Sequence, residues 1–234
     1  MGFIDFIFPK KCVVCKKHGS YLCSKCFSYL SFDAKSLCLL CNNPTFNNLT
    51  HPRCRRKYRI DGCFSALSYN KTVQKLIFNF KYKPYLTDLK TVLTDLFYES
   101  IIQNEQFQSQ IKKGEWVLVP IPLSKVKLRK RGYNQAEILA KELSKKFNFP
   151  VQKLLIRTRD TKTQVGLTNL QRKLNIQNAF ALSLSSLRVR SSADCKNVLL
   201  VDDVATTGST LLEATKVLKR AGVDKVFGLT LARD

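Results

Sequence analysis

No stretch of this 234-residue sequence approaches the ~20 consecutive apolar residues that a membrane-spanning helix requires, so no such span is expected. A secretory leader is not expected either, because MGFIDFIFPKKC has an acid, Asp5, where a leader wants a basic segment. Phe6 stands where N-myristoylation asks for Ser or Thr. A cytoplasmic location follows as the expectation. Acidic residues are scarce: 17 Asp and Glu face 40 Lys and Arg, a formal net charge of +23. That imbalance points to a polyanionic partner, nucleic acid or an anionic lipid surface, with a merely solvated basic surface as the plain alternative. The cations are clustered, eleven against two acids in residues 1–60 and fourteen against three in residues 123–173, which favours the polyanion. What the chain does have is 44% hydrophobic residues, enough to fill the core of one ordinary domain with a small one appended.

Nine cysteines in a reducing compartment are poor disulfide partners and good metal ligands, and seven of them precede residue 55. Three CxxC pairs, Cys12/Cys15, Cys23/Cys26 and Cys38/Cys41, are followed by His51-Pro-Arg-Cys54. A CxxC turn converges two sulfurs on one ion, and two such turns complete a tetrahedron around zinc. The simplest arrangement puts Cys12, Cys15, Cys23 and Cys26 on one ion and Cys38, Cys41, His51 and Cys54 on another. A crossed pairing is equally sound chemically, and His18 or Cys63 can replace a ligand. One or two structural zinc ions are expected, since a four-ligand site leaves no position open for catalysis. So small a module takes most of its folding energy from the metal. The basic stretch from Arg53 to Gly62 is either a phosphate contact or a solvated linker.

From Phe64 the pattern alternates between strand and helix. FSALSYN reads as a strand of period two, and Val73, Leu76, Ile77 and Phe80 follow at helical spacing. Leu86, Leu89, Leu93 and Leu96 continue a second helix after Pro84. EWVLVPIP is a buried strand cut off by Pro120 and Pro122. Tyr133, Ala136, Ala140, Leu143 and Phe147 share one helical face, VQKLLI reads as a strand, and VDKVFGLTLA closes the chain as another. Such alternation predicts an α/β fold with a parallel sheet and flanking helices, whose ligands bind at the carboxyl ends of the strands.

The densest signal is NVLLVDDVATTGSTLLEA, residues 197–214. A buried strand, Val198 to Val201, delivers Asp202 and Asp203 into a loop of small residues, Ala205, Thr206, Thr207, Gly208, Ser209 and Thr210, that opens a helix. Free N–H groups, the helix dipole and the hydroxyls suit a phosphate monoester there. Two carboxylates cannot serve that phosphate, but they accept hydrogen bonds from a vicinal diol, so a ribose 5-phosphate is the natural guest.

VLLVDDVATTGST resembles the phosphoribosyl pyrophosphate (PRPP) signature of type I phosphoribosyltransferases. The CxxC head, VPIPLSKVKLRKRGYNQAEILA, RTRDTKTQVGLTNLQRKLNIQNAF and the acid-pair loop are together similar, in order and spacing, to the ComF competence-protein family, with His51 where that family usually has cysteine. The resemblance implies a zinc-ribbon domain over residues 1–60 and a type I phosphoribosyltransferase-like domain over 61–234. It implies that Asp202 and Asp203, the catalytic candidates, bind the ribose hydroxyls and that Ala205 to Thr210 hold the 5-phosphate. Pro120, Ile121, Pro122 and Leu123 fall where that fold carries its pyrophosphate loop. Arg129 and Arg131 can neutralise pyrophosphate or bind DNA. Lys125, Lys127 and Lys130 add more charge than one pyrophosphate needs, and with Arg131 and Arg172 they are the DNA candidates. Arg157, Arg159, Thr163, Gln164 and Arg172 match the segment where the fold has a lid over PRPP. Tyr133 is either helix core or a stacking platform, and Lys81 either a site residue or a surface charge.

Transfer from PRPP passes through an oxocarbenium-like state that needs no protein nucleophile, only electrostatic help to the departing pyrophosphate with Mg2+. The motif therefore permits catalysis without requiring it, and no segment supplies an evident acceptor site. Family resemblance implies a PRPP-binding accessory protein of natural transformation that binds single-stranded DNA, supports its import and works with a cytoplasmic helicase. Peripheral association with the cytoplasmic face of the inner membrane is compatible with this. The alternative is a phosphoribosyltransferase acting on an unidentified base-like acceptor.

Overall fold

The computed structural model describes residues 10–82, 88–161, 168–183 and 197–234. Residues 10–61 are mostly turns, with one helical turn, α1 (Ser24–Phe27), and a 3-10 turn at Pro52–Cys54. Apolar residues are few there, and buried cysteines (Cys12, Cys23, Cys26, Cys38) stand in for a core. Beyond them the chain runs β1 (Gly62–Ser68), α2 (Lys71–Tyr82), α3 (Leu89–Ile102), α4 (Glu105–Ile111), β2 (Trp116–Pro120) and α5 (Lys125–Arg131). It continues with α6 (Gln135–Phe147), β3 (Leu155–Arg157), α7 (Asn169–Ile176), β4 (Phe180–Leu182), β5 (Asn197–Ala205), α8 (Ser209–Arg220) and β6 (Lys225–Arg233).

Four strands form one sheet in the order β1-β6-β5-β2, every neighbouring pair parallel, as the strand–helix alternation predicts. A parallel sheet needs helical crossovers, which cover both faces and make its strands apolar throughout. Successive residues of β5 serve opposite layers. Leu199 and Val201 pack with α2, α3 and α6, whereas Val198 and Leu200 pack with Leu211, Ala214 and Leu218 of α8. Trp116, Phe64, Phe97 and Phe107 are among the largest fully buried side chains of the first layer, and truncating any one to alanine costs ~3–5 kcal/mol.

The cysteine-rich segment closes the β1 edge of the sheet. Cys63 N donates to the Asn48 carbonyl at 2.8 Å and Ser68 N to the Ser31 carbonyl at 2.9 Å. These bonds occupy both ends of that edge, which limits its pairing with another chain. Gly62 is required at the seam, because a Cβ there would lie 2.5 Å from the Asn48 carbonyl oxygen.

Three elements differ from the sequence reading. VQKLLI does not form one strand: Leu118 N donates to the Pro150 carbonyl and Gln152 N to the Leu118 carbonyl, both at 2.9 Å, and pairing with β2 stops there. The next rung would need an N–H from Pro120, which has none. The chain instead enters β3, which pairs antiparallel with β4 outside the main sheet. Tyr133 lies before its helix, not in it: α5 ends at Gly132 (φ 79°), and Asn134 caps α6 by accepting from Ala136 N at 3.1 Å. β1 lacks the expected alternation, since both its faces are covered and only Ser65 and Ser68 are partly exposed. Leu86 lies outside the described residues; Leu89, Leu93 and Leu96 are buried on α3.

Candidate functional site

The ligand atoms of Cys12, Cys15, Cys23 and Cys26 lie within 4.8 Å of one another, and so do those of Cys38, Cys41, His51 and Cys54. Sequential pairing is therefore the one the fold builds; His18 and Cys63 belong to neither cluster. Tetrahedral zinc with bonds of ~2.0–2.3 Å spaces its ligands about 3.3–3.8 Å apart. Cys15 Sγ and Cys23 Sγ are 3.6 Å apart, and Cys41 Sγ is 3.2 Å from His51 Nδ1. His51 Nε2 donates to the Pro44 carbonyl at 2.9 Å, which leaves the Nδ1 lone pair for the metal. Burial, then the neighbouring Cys15, Cys23 and Cys12 sulfurs, push the Cys26 thiol up to about 12. Four sulfur or imidazole donors converging this closely fit a tetrahedral zinc ion, and as closed four-ligand sets they are structural.

The acid pair sits at the last rungs of a strand rather than in the loop beyond it. β5 loses β2 as a neighbour after the Pro120–Val201 pair but follows β6 to Ala205. Asp202 Oδ1 accepts from Asp203 N at 2.9 Å, and Asp203 Oδ1 from Val204 N at 3.0 Å. Asp203 is buried and ion-paired with Lys81 from the end of α2. Burial acts against the Lys81 charge, but Asp203 outweighs it and holds the ammonium above its ordinary range. Lys81 is thus joined to the candidate site rather than a free surface charge. Burial first, then the charge of Asp203, raise the Asp202 carboxyl to about 8 despite the pull of Lys81.

Cations converge within electrostatic reach of the acids. Lys127 is held below its ordinary range by burial and then by Arg157, with Arg131 and Lys81 adding to the repulsion and Asp160 opposing it. Arg157 is lowered by burial against the attraction of Asp202 and Asp160, and its guanidinium lies 5.4 Å from the Phe180 ring. Arg157 also donates to Thr161 Oγ1, while its buried Nε has no hydrogen-bond partner. Such a cluster is a field for a polyvalent anion. Lys127, a DNA candidate by sequence, belongs electrostatically to this cluster, while Lys125, Arg129 and Lys130 are exposed along α5.

Tyr133, Asn134 and Gln135 join the two sides of the site. Tyr133 OH donates to the Phe80 carbonyl, Gln135 Nε2 to the Lys81 carbonyl at 3.5 Å, and Asn134 Nδ2 to the Ile121 carbonyl at 3.0 Å. The motif thereby fixes the end of α2 against the Pro120–Leu123 turn, and the Tyr133 hydroxyl is used as a strut. Arg131 donates to Gln135 Oε1 at 2.9 Å and lies 5.1 Å from the Tyr82 ring centroid. Arg159 Nη2 donates to carbonyls at the end of α7, including that of Asn175 at 3.1 Å, so it caps a helix here. Arg172 is half-buried, and its Nε is buried without a hydrogen-bond partner. Thr163 and Gln164 lie outside the described residues.

The small-residue loop follows directly. Gly208, at φ 67°, is the N-cap of α8 and has no side chain to cap it, while Thr207 Oγ1 accepts from Ser209 N at 3.3 Å. The Thr207 and Ser209 hydroxyls are 2.7 Å apart. The arrangement can hold a phosphate at the loop, accept from a diol at the acid pair and neutralise a second anion at Lys127 and Arg157. Sequence reasoning missed the Lys127–Arg157 convergence and left Lys81 undecided, since neither distance along the chain nor composition signals it.

A phosphoribosyl transferase domain profile matches residues 129–233, and a double zinc ribbon domain profile matches residues 3–56. Competence protein F of Haemophilus influenzae is 30% identical over 230 residues, covering 92% of this chain and 97% of that protein. Competence protein ComFC of Bacillus subtilis is 27% identical over 228 residues, covering 93% and 86%. The DNA utilization protein YhgH of Escherichia coli is 28% identical over 218 residues, covering 91% and 90%. With zinc ribbons joined to a phosphoribosyltransferase-type sheet and relatives matched along nearly their whole length, this chain belongs to the ComF family of competence proteins.

Proposed function

We propose that the chain is a PRPP-binding protein of natural transformation that holds incoming single-stranded DNA and supports its import into the cytoplasm, with residues 1–60 as the zinc-ribbon domain and 61–234 as the PRPP-binding domain. The names of its relatives, competence and DNA utilization proteins, supply the physiological setting. One observation carries the ligand: an acid pair and a cation cluster lie within electrostatic reach of each other, and the acids lead directly into the small-residue start of α8. No simple anion uses both poles. PRPP does, because it joins a diol to a phosphate on one side and a pyrophosphate on the other.

In this reading Asp202 and Asp203 accept from the ribose hydroxyls, Ala205 to Thr210 hold the 5-phosphate, and Lys127, Arg131 and Arg157 face the pyrophosphate beside the Pro120–Leu123 turn. Mg2+ held with PRPP beside Asp202 and Asp203 would supply the remaining charge neutralisation. Lys125, Arg129 and Lys130 stay exposed for DNA phosphates, and Arg172 extends that surface. A cytoplasmic helicase, or another transformation protein, takes the DNA onward. No helix among the described residues is long and apolar enough to cross a membrane, so attachment to the inner membrane would be peripheral.

The same cation cluster favours a second reading, turnover, because it stabilises a leaving pyrophosphate as well as a bound one. Pyrophosphate release from magnesium–PRPP by zinc-replete protein, with nucleobases and single-stranded DNA as acceptors, separates the two. The binding role predicts no acceptor-dependent release. Release that needs one acceptor and vanishes in Asp202→Asn/Asp203→Asn replaces it with the transferase.

A further inference from the structure

Leu39 lies inside the second zinc knuckle, between Cys38 and Cys41, and is only 8% exposed. The knuckle is closed by Asn42 N donating to the Cys38 carbonyl at 2.8 Å and Cys38 N to the Asn43 carbonyl at 3.0 Å. Its side chain is pressed against Gly208: a Cβ on Gly208 would lie 2.5 Å from Leu39 Cδ2 and 3.2 Å from Cδ1. Gly208 is the left-handed residue that turns the small-residue loop into α8. Leu39 shares its core layer with Ala205 and Leu211, which bracket that loop.

Two further bonds tie the same parts. The Arg233 guanidinium, 3% exposed, donates from Nη1 to the Leu37 carbonyl at 2.8 Å, and Asp234 N donates to the Ala205 carbonyl at 3.2 Å. The chain entering the knuckle is thus bonded to the end of β6, and the end of β6 to the start of the loop. Among the described residues, the first zinc cluster shows no bond to that loop. Val13, between Cys12 and Cys15, is buried in the opposite core layer with α2 and α3.

We propose that Leu39 is a positioning residue through which the second zinc cluster, and not the first, sets the affinity of the Ala205–Thr210 loop for a phosphate monoester. The inference rests on the reading that this loop holds a ribose 5-phosphate. Zinc fixes the knuckle backbone, the knuckle fixes Leu39, and Leu39 holds Gly208 at its positive φ. The loop's N–H groups then meet phosphate without the cost of being ordered on binding. Truncating Leu39 leaves an unfilled space over the one backbone position that has no side chain of its own to limit it.

Calorimetric titration of zinc-replete protein with ribose 5-phosphate, and separately with magnesium pyrophosphate, tests this in wild type, Leu39→Ala, Leu39→Met and Val13→Ala. Zinc content is measured alongside and should remain at two ions per chain, one for each cluster. Leu39→Ala should weaken ribose 5-phosphate roughly tenfold while leaving magnesium pyrophosphate within about twofold. Leu39→Met, which refills the space, and Val13→Ala should bind both as wild type does. Amide exchange of residues 206–210 should speed up in Leu39→Ala alone. A folded, zinc-loaded Leu39→Ala that binds ribose 5-phosphate as wild type does overturns the proposal and leaves the PRPP reading standing. Equal loss of both ligands overturns it too, as general loosening. Wild-type protein that binds neither ligand overturns the PRPP reading itself, and the proposal with it. Should Leu39→Ala not fold, Leu39→Val carries the same contrast with a loss of about threefold.

Discussion

A partly buried carboxyl beside a second carboxylate keeps its proton far longer than a free aspartate, and Asp202 is in that position, with Asp203, Lys81 and Arg157 as the charged groups around it. Its folded value of about 8 stands against ~3.9 in an unfolded chain. Between those two pH values the folded protein binds more protons than the unfolded one, so stability falls as pH rises through this window. Below ~pH 4 both states hold the proton and Asp202 imposes no penalty; above about pH 8 the penalty is complete. Asp202→Asn, which removes the titration at nearly constant shape, should therefore gain Tm relative to wild type, and the gain should grow from pH 5 to pH 8. A series of thermal unfolding curves checks this; a pH-independent difference would contradict the raised proton affinity of that carboxyl. A diol or magnesium-bound ligand that favours the ionised form would recover the penalty on binding, which makes the acid pair a store of binding energy rather than of stability.

At the scale of elements, the zinc knuckles and the sheet draw on different sources of stability. Residues 10–61 bury cysteines, whereas the sheet buries Trp116, Phe64, Phe97 and the apolar run of β5. Stripping zinc with a chelator should leave the far-UV signature of the α/β core in place and loosen the backbone around the exposed Lys16, Lys17, Lys25 and Lys35 so that trypsin cuts there, with a resistant fragment beginning beyond residue 60. Cooperative loss of the whole fold would instead show that the β1 edge depends on the ribbon cover. This division was legible in the sequence because CxxC spacing and apolar runs are local signals: ligands, β5, β6 and the helical face of α6 follow from a few adjacent residues. VQKLLI misled because its pairing depends on the missing N–H of Pro120, a residue of another element. α5 was hidden among its own cations, although Ser124 at its start and Gly132 at its end are ordinary cap signals. The Lys81–Asp203 pair and the Leu39–Gly208 contact join residues far apart in the chain, and no local pattern encodes either.

For the molecule as a whole, the proposed reading divides the net charge of +23 between two places. Lys81, Lys127 and Arg157 are at least partly buried beside the acid pair, while Lys125, Arg129 and Lys130 lie exposed. If about four outward contacts meet DNA phosphates, single-stranded DNA binding followed by fluorescence anisotropy should weaken with salt at a slope of about −3 on log axes. Lys125→Ala/Lys130→Ala should flatten that slope by about 1.4, and Asp202→Asn should leave it unchanged. A slope untouched by the α5 pair would move the DNA path elsewhere, toward the basic ribbon. The account itself depends on the acid pair and the small-residue loop acting on one ligand. Its most direct test is calorimetric titration of the zinc-replete protein with magnesium–PRPP, beside Asp202→Asn/Asp203→Asn. Saturable binding of one PRPP per chain, weakened at least about tenfold in the double variant, is the predicted result; a double variant that is folded and binds as tightly as wild type would contradict it.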